Sequence, residues 1–230
     1  MINKLSKWVK LGGFSLAMLA GCVNAIGLLG FSHQAVSHVT GTVSLLSLAI
    51  INNELSVASH LFFIIISFTL GAILSGLLIA NSAFKVGKRY GFALFIEGVF
   101  IYLAMHYLNS SSHIGHYWVS AACGLQNAMI STYSGALIRT THMSGLFTDI
   151  GVMIGSYFRG LPIDIKRLNL YLLLIIGFMF GGVIGSLTYN SYQFTALLLP
   201  SLFSICLAII YWVYLYTQAT SRCRNQQVDK

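Results

Sequence analysis

The sequence predicts an all-α integral membrane protein with six transmembrane helices and two short re-entrant half-helices, arranged as two inverted three-span repeats. The 230-residue chain is 57% hydrophobic and only 8% charged, whereas a soluble domain has about 25% charged residues. Residues 168–221 contain no Asp, Glu, Lys or Arg. The Lys and Arg residues lie in short clusters between apolar stretches, as in cytoplasmic loops, so the net charge of +8 does not indicate nucleic-acid binding.

Six apolar stretches are long enough to cross a bilayer core, which takes about 20 helical residues. They are residues 11–31, 57–81, 90–108, 117–138, 168–189 and 194–217. Residues 39–51 and 143–157 are also apolar but too short to cross at about 1.5 Å per residue. The first stretch resembles a lipoprotein signal ending at Cys22, but its apolar run continues to Phe31, so we expect it to be retained as a helix.

The distribution of basic residues indicates how the short stretches are placed. If both are re-entrant, every basic cluster falls on one side of the membrane and every base-free loop on the other. If residues 39–51 crossed instead, the cluster at 85–89 would move outside. The positive-inside rule therefore favours six spans with both termini in the cytoplasm.

The two halves of the chain are similar in sequence. Residues 21–25 (GCVNA) resemble residues 124–128 (GLQNA), and His38-Val39-Thr40-Gly41 resembles His142-Met143-Ser144-Gly145. Repeat 1 covers about 11–108 and repeat 2 about 117–217, within a single membrane domain (1–230) that ends in a short cytoplasmic tail, 218–230. Because each repeat has three spans, the second must be inverted, an architecture that recurs in transporters.

These motifs resemble the YoaK-like family of bacterial membrane proteins over about residues 12–216. The resemblance rests on GCVNAIGLLGF and SHVTGT in the first half, and on CGLQNAMIS and IRTTHMSGLFTDIG in the second. It implies a six-span protein of the bacterial inner membrane, and no activity, because the family is a domain of unknown function. Two departures stand out: relatives usually have Asp-Ala at Asn24-Ala25 and commonly Thr-Gly-Asn at Thr40-Gly41-Thr42.

The short helices supply most candidate substrate-binding residues. Thr40 and Ser144 are placed to cap them, and a helix that begins inside the membrane presents unpaired N–H groups suited to an anion. We expect the two starts to meet near the midplane. The candidates are Asn24, Thr40, Gly41, Thr42, Asn127, Ser144, Gly145 and Thr148. Alternatively, the glycines allow close packing, and Asn24 and Asn127 clamp the re-entrant turns.

A second group of candidates concerns gating or proton coupling: His38, Arg139, His142 and Asp149. An intramembrane acid such as Asp149 is costly, so it either titrates during transport or pairs with Arg139 or His142. The histidines either sense pH or donate to backbone carbonyls. We expect Glu97 to reach back to Lys88 or Arg89 at the interface.

No motif indicates catalysis, a metal or a cofactor. The four cysteines form no CxxC or Cys/His spacing, and His33, His60, His113 and His116 show no metal-ligand spacing. We therefore expect no enzyme and no cofactor. The leading hypothesis is a transporter or channel for a small anionic or polar neutral solute. The alternative is an assembly or accessory protein, and an intramembrane enzyme is a weaker alternative. The expected partners are the lipid bilayer and a second copy of the chain in a homo-oligomer.

Overall fold

A computed structural model describes residues 7–30, 37–79, 88–134 and 140–228, whose regular secondary structure is entirely helical. The α-helices of these ranges are α1 (Lys7–Gly30), α2 (Val39–Ile51), α3 (Leu55–Leu78), α4 (Lys88–Asn109), α5 (Ile114–Ser134), α6 (Met143–Phe158), α7 (Ile165–Tyr192) and α8 (Leu198–Val228). A short 3-10 helix, η1 (Gln193–Leu197), joins α7 to α8. The prediction of an all-helical chain is confirmed.

Among the described residues, four stretches are long and apolar enough to cross a membrane: Lys10–Gly30, Leu55–Leu78, Arg89–Asn109 and Ile165–Gln218. The last is 54 residues long and contains α7 and the first two thirds of α8. The predicted short stretch at 39–51 coincides with α2, a helix of 13 residues. The other predicted short stretch, 143–157, corresponds to α6, which has 16 residues and ends one residue later.

Local sequence explains where several helices begin and end. Asp164 caps α7, since its carboxylate accepts from the backbone N–H groups of Lys166 and Arg167, both at 3.1 Å. At the end of α7, Gln193 takes a φ of 50°, a left-handed conformation that stops the helix. Asn53 does the same, with a φ of 57°, in the turn between α2 and α3. The apolar stretch Ile165–Gln218 is therefore divided between two helices.

Helices α1 and α7 pack along glycines. A Cβ at Gly181 would overlap the carbonyl of Met18, and one at Gly185 would overlap that of Cys22. Because the partners are backbone atoms, they cannot be moved aside by a change of rotamer. Small residues at this spacing allow two backbones to approach closely, as at interfaces between membrane helices.

Helices α3 and α5 pack in the same way and at equivalent positions. A Cβ at Gly71 would overlap the carbonyl of Ala121, just as a Cβ at Gly181 would overlap the carbonyl of Met18. Gly181 follows Gly71 by 110 residues, and Ala121 follows Met18 by 103. The first helix of each half of the chain thus packs against the third helix of the other half.

The contacts also give the directions of the helices. Along α1 and α7, Met18 faces Gly181 and Cys22 faces Gly185, so these helices are parallel. Helices α3 and α5 are parallel as well, and α4 is antiparallel to α5 and α8. The ends of α1, α4 and α7 meet at η1, where Asn109 donates to Thr195. Helices α3, α5 and α8 begin at that same end of the bundle.

The α4–α8 interface corrects the expectation for Glu97. The side chain is 1% exposed, and one of its carboxyl oxygens lies 3.2 Å from the hydroxyl oxygen of Ser204. It therefore points into the protein toward Ser204, and among the described side chains Arg89 is not its partner. Ser204 and Ser201 also donate to the carbonyls of Leu94 and Gly98, both at 2.8 Å. A polar seam thus lies inside an otherwise apolar interface.

Candidate functional site

Asn24 lies on α1, two turns before its end, and holds the segment that precedes α2. The hydroxyl of Ser37 donates to its side-chain oxygen at 2.7 Å. Six residues of α1 separate Asn24 from Gly30, a rise of about 9 Å. Ser37 and the start of α2 therefore lie beside Asn24, about two turns before the described end of α1.

Asn127 on α5 makes the corresponding contact in the second half of the chain. The hydroxyl of Thr141 donates to its side-chain oxygen at 2.6 Å, just before α6. Asn127 lies seven residues before Ser134, the last described residue of α5, which is a rise of about 10 Å. Both asparagines therefore act as the clamps that were one of their two predicted roles.

The starts of α2 and α6 differ from the expected caps. Their N-cap residues are His38 and His142, with similar backbone angles (φ −99°, ψ 64° and φ −91°, ψ 64°), and neither side chain makes a capping hydrogen bond. Thr40 and Ser144 lie inside the first turn instead, and both are exposed. The expectation that they cap is wrong, because the preceding clamps already fix the chain and the helices begin earlier.

Three hydroxyls near the helix starts, including those of the candidates Thr42 and Thr148, donate to backbone carbonyls of their own helix or its N-cap. Ser44 donates to the carbonyl of Thr40 at 3.1 Å, and Thr148 donates to that of Ser144 at 2.9 Å. Thr42 is buried and has a longer contact, 3.4 Å, with the carbonyl of His38. These side chains still offer acceptor lone pairs, but their protons are already engaged.

The backbone N–H groups of the first turns remain. Within α2 the first backbone bond to a preceding carbonyl comes from Thr42, and within α6 it comes from Leu146. The amides before them, including those of Gly41 and Gly145, have no partner within their helix. Near the start of α6, the Thr140 hydroxyl is 1% exposed and has no hydrogen-bond partner among the described residues. These are donors suited to an anion or a polar neutral group.

The two helix starts lie at different depths. Gln126, next to Asn127, donates to the carbonyl of Leu16 on α1 at 2.7 Å. Asn24 lies eight residues further along α1, a rise of about 12 Å. The clamps are therefore separated along the bundle, and the two helix starts do not meet at one depth as expected.

Asp149 is ion-paired from another helix. Its carboxylate accepts from Arg167 at 3.3 Å and from the hydroxyl of Tyr171 at 2.8 Å, both on α7. Arg167 also donates to Tyr171 at 2.7 Å. The predicted pairing is present with a different cation, and the expected partner Arg139 lies outside the described residues. These contacts tie α6 to α7.

Sequence reasoning missed one polar cluster. His60 on α3, His113 just before α5 and His116 in its first turn bring their ring nitrogens within 4.8 Å of one another. The one sequence signal is the spacing of His113 and His116, which is too short to be specific. The third histidine comes from 53 residues earlier, and the packing of α3 on α5 brings it close.

Comparison with known proteins identifies the family and no activity. No curated protein and no solved structure matches the chain. The family model described as "Protein of unknown function (DUF1275)" matches residues 12–210, nearly the extent expected from the resemblance noted in the sequence. With most of its length covered by that match, including both clamps, the chain belongs to the DUF1275 family.

Proposed function

We propose that this chain is a transporter or channel for small anionic or polar neutral solutes. The duplicated clamp carries the proposal: Ser37 on Asn24 and Thr141 on Asn127 hold the starts of two apolar helices beside longer ones. Interrupted helices in repeats are a recurring device for building a solute site inside a membrane. The same clamp occurs once in each half of the chain, at equivalent positions.

The topology that goes with this proposal has six spans and two half-helices, α2 and α6. Six spans result if α5 crosses the membrane and Ile165–Gln218 crosses it twice. The helix directions support this count, because α1 ends and α3 begins at the same end of the bundle. The α2 segment between them therefore starts and finishes on one side of the membrane, as a re-entrant half-helix does. The basic clusters then share one side, and the positive-inside rule supports cytoplasmic termini in a bacterial inner membrane.

The inverted repeat is supported by the equivalent glycine contacts. Gly21 meets the carbonyl of Phe178, and Gly124, which follows Gly21 by 103 residues, meets that of Phe68. A two-fold axis in the membrane plane relates α1 to α5 and α3 to α7. It inverts the second repeat, so α1 runs parallel to α7 and α3 runs parallel to α5, as the contacts have them.

The solute site lies between the two helix starts. Each start offers backbone N–H groups that have no partner within their helix, together with the positive end of a helix dipole, and both favour anions and polar neutral acceptors over cations. Thr40 and Ser144 are exposed at these starts, so their side chains are accessible to a solute bound there. The exposed polar side chains are costly if they face only lipid.

Facilitated movement fits the charges better than tight proton coupling. Asp149 is held by Arg167 and Tyr171, so it is engaged in a structural contact. Glu97 is buried against Ser204 in the α4–α8 interface. We therefore expect a channel or facilitator.

Topology is the first experiment. A single cysteine replaces Asn53, and a second variant carries one at Gly87, both in a chain from which the four native cysteines are removed. A membrane-impermeant maleimide applied to intact cells labels position 53 but labels position 87 only after permeabilisation. Cytoplasmic labelling at position 53 means that α2 crosses the membrane and overturns the inverted repeat.

Solute flux is the second experiment. The purified chain in liposomes is tested by stopped-flow light scattering with formate, nitrate and glycerol. Thr40→Leu and Ser144→Leu fill the space at the two helix starts and reduce flux to background, while thermal unfolding in detergent is unchanged. Val43→Leu, an exposed position one turn later on α2, is the matched control and retains flux.

Two results contradict transport. Flux that survives both leucine substitutions removes the helix starts from the pathway. A wild-type chain that moves none of the probes, while Thr40→Leu or Ser144→Leu disrupts its association with itself, favours an assembly or accessory role instead.

A further inference from the structure

Three histidines converge where α3 and α5 begin. The Nδ1 atom of His116 lies 3.0 Å from Nε2 of His60. The ring centroids of His60 and His113 are 5.2 Å apart, and those of His113 and His116 are 5.6 Å apart. His113 is exposed, whereas His60 and His116 are half-buried. The cluster is therefore open to solvent on one side and held by two helices on the other.

The spacing of the nitrogens suits a transition-metal ion. One nitrogen from each ring lies within 4.8 Å of the other two. Two imidazoles on a tetrahedral zinc ion, with Zn–N bonds of about 2.0–2.1 Å, have their nitrogens about 3.3 Å apart. The His60–His116 pair is already near this separation, so rotation of the His113 ring is the main adjustment that binding needs.

Tyr117 orients the central histidine. Its hydroxyl lies 3.0 Å from Nδ1 of His60, the nitrogen that faces away from His116. This contact leaves Nε2 of His60 pointing into the cluster. Metal-binding histidines are usually held by such a second hydrogen bond, which fixes the ring and the nitrogen that coordinates.

We propose that His60, His113 and His116 form a binding site for a divalent transition-metal ion of the zinc class. Three neutral imidazoles match the affinity of zinc, copper and nickel for nitrogen ligands better than that of magnesium or calcium, which prefer oxygen. Three protein ligands with an exposed side leave a fourth position for water or a small anion. The site does not depend on the proposed transport.

The position of the site gives it a structural effect. It joins the start of α3 to the start of α5, at the end of the bundle where α1, α4 and α7 finish. An ion bound only by the folded chain stabilises it according to the ion concentration relative to Kd. Zinc therefore raises the unfolding temperature, and a chelator returns it to the metal-free value.

Metal binding is tested on the full chain, purified in detergent without a histidine tag. Equilibrium dialysis against Zn²⁺, followed by elemental analysis, gives one ion per chain for the wild type. His113→Ala is the main variant, because that side chain is exposed and its loss leaves the helices packed. His60→Ala and His116→Ala complete the set. Each substitution lowers affinity, and Tyr117→Phe lowers it by about 10–100-fold.

The matched control is His106→Ala, which removes an exposed histidine of α4 that contacts Tyr107 and lies outside the cluster. It retains full zinc binding. Co²⁺ in place of Zn²⁺ reports the geometry, since a four-coordinate nitrogen site gives a visible spectrum that His113→Ala abolishes. The proposal is overturned if the wild-type chain binds no zinc. It is also overturned if zinc binding survives all three histidine substitutions and is lost when the cysteines are replaced.

Discussion

Gly21 lies against the carbonyl of Phe178 so closely that no side chain fits between the two backbones. The same relationship joins Gly124 to Phe68, Gly181 to Met18 and Gly71 to Ala121. Close approach of this kind increases dispersion contact between helices where lipid provides no hydrophobic driving force. These four glycines therefore set the distance between the paired helices, and substituting them tests the packing directly.

Gly71→Ala separates α3 from α5. Its Cβ would overlap the carbonyl of Ala121, and relieving such overpacking costs about 1–3 kcal/mol. Gly76→Ala on the same helix is the matched control, because its Cβ would meet nothing within 4 Å. We expect thermal unfolding in detergent to shift down for the first variant only. An equal shift for both variants would show that the backbones of α3 and α5 do not approach closely at Gly71 and Ala121.

Thr141→Val removes the hydroxyl that donates to Asn127 while keeping the shape of the side chain. An acceptor left without its donor inside the protein costs about 1–3 kcal/mol. Combining Thr141→Val with Asn127→Leu removes both partners, so the double variant is more stable than the sum of the two single effects predicts. Additive effects, measured by chemical unfolding, would mean that the hydrogen bond does not hold the start of α6.

Asp149→Asn weakens the contact between α6 and α7 only modestly. The side chains of Asp149 and Arg167 are 42% and 40% exposed, so solvent screens the pair and it contributes about 0–1 kcal/mol. Tyr171→Phe removes the 2.8 Å hydrogen bond and serves as the comparison. If solute flux is measurable, its pH dependence is unchanged in Asp149→Asn. A flux that loses its pH dependence would assign proton coupling to this carboxylate.

Glu97→Gln leaves the stability at neutral pH unchanged or higher. The carboxyl group is 1% exposed, and Ser204 is the hydrogen-bond partner that the described side chains give it. Gln keeps an acceptor oxygen for Ser204 and removes the cost of burying an ionisable group. Chemical unfolding checks this, with Glu97→Lys as the comparison that prevents folding. A large loss of stability in Glu97→Gln would mean that the carboxyl group has a partner beyond Ser204.

The sequence predicted features that depend on local pattern. The apolar runs gave the helices, the length of 39–51 gave α2, and the similarity of the two halves identified Asn24 and Asn127 as equivalent. Both asparagines engage a hydroxyl that lies 13 or 14 residues further along the chain. A polar group in an apolar helix needs a partner, so this pairing follows from physical necessity.

Features that depend on packing between distant segments were not predictable from one sequence. Asp149 pairs with Arg167, 18 residues away on the next helix, because α7 lies beside α6. Glu97 points into the α4–α8 interface, a choice of helix face that its position near a basic cluster does not reveal. The histidine cluster requires α3 and α5 to be parallel and in register, which no spacing along the chain encodes.

The exchange of partners between the two halves has a consequence for how the chain is made. During synthesis, α1 and α3 leave the ribosome long before α7 and α5, whose glycine faces they need. The first four helices must therefore remain in an unfinished state until the second half arrives. For the same reason, two halves expressed as separate chains should associate in the membrane and form the complete fold, since each half carries the helices against which the other half packs.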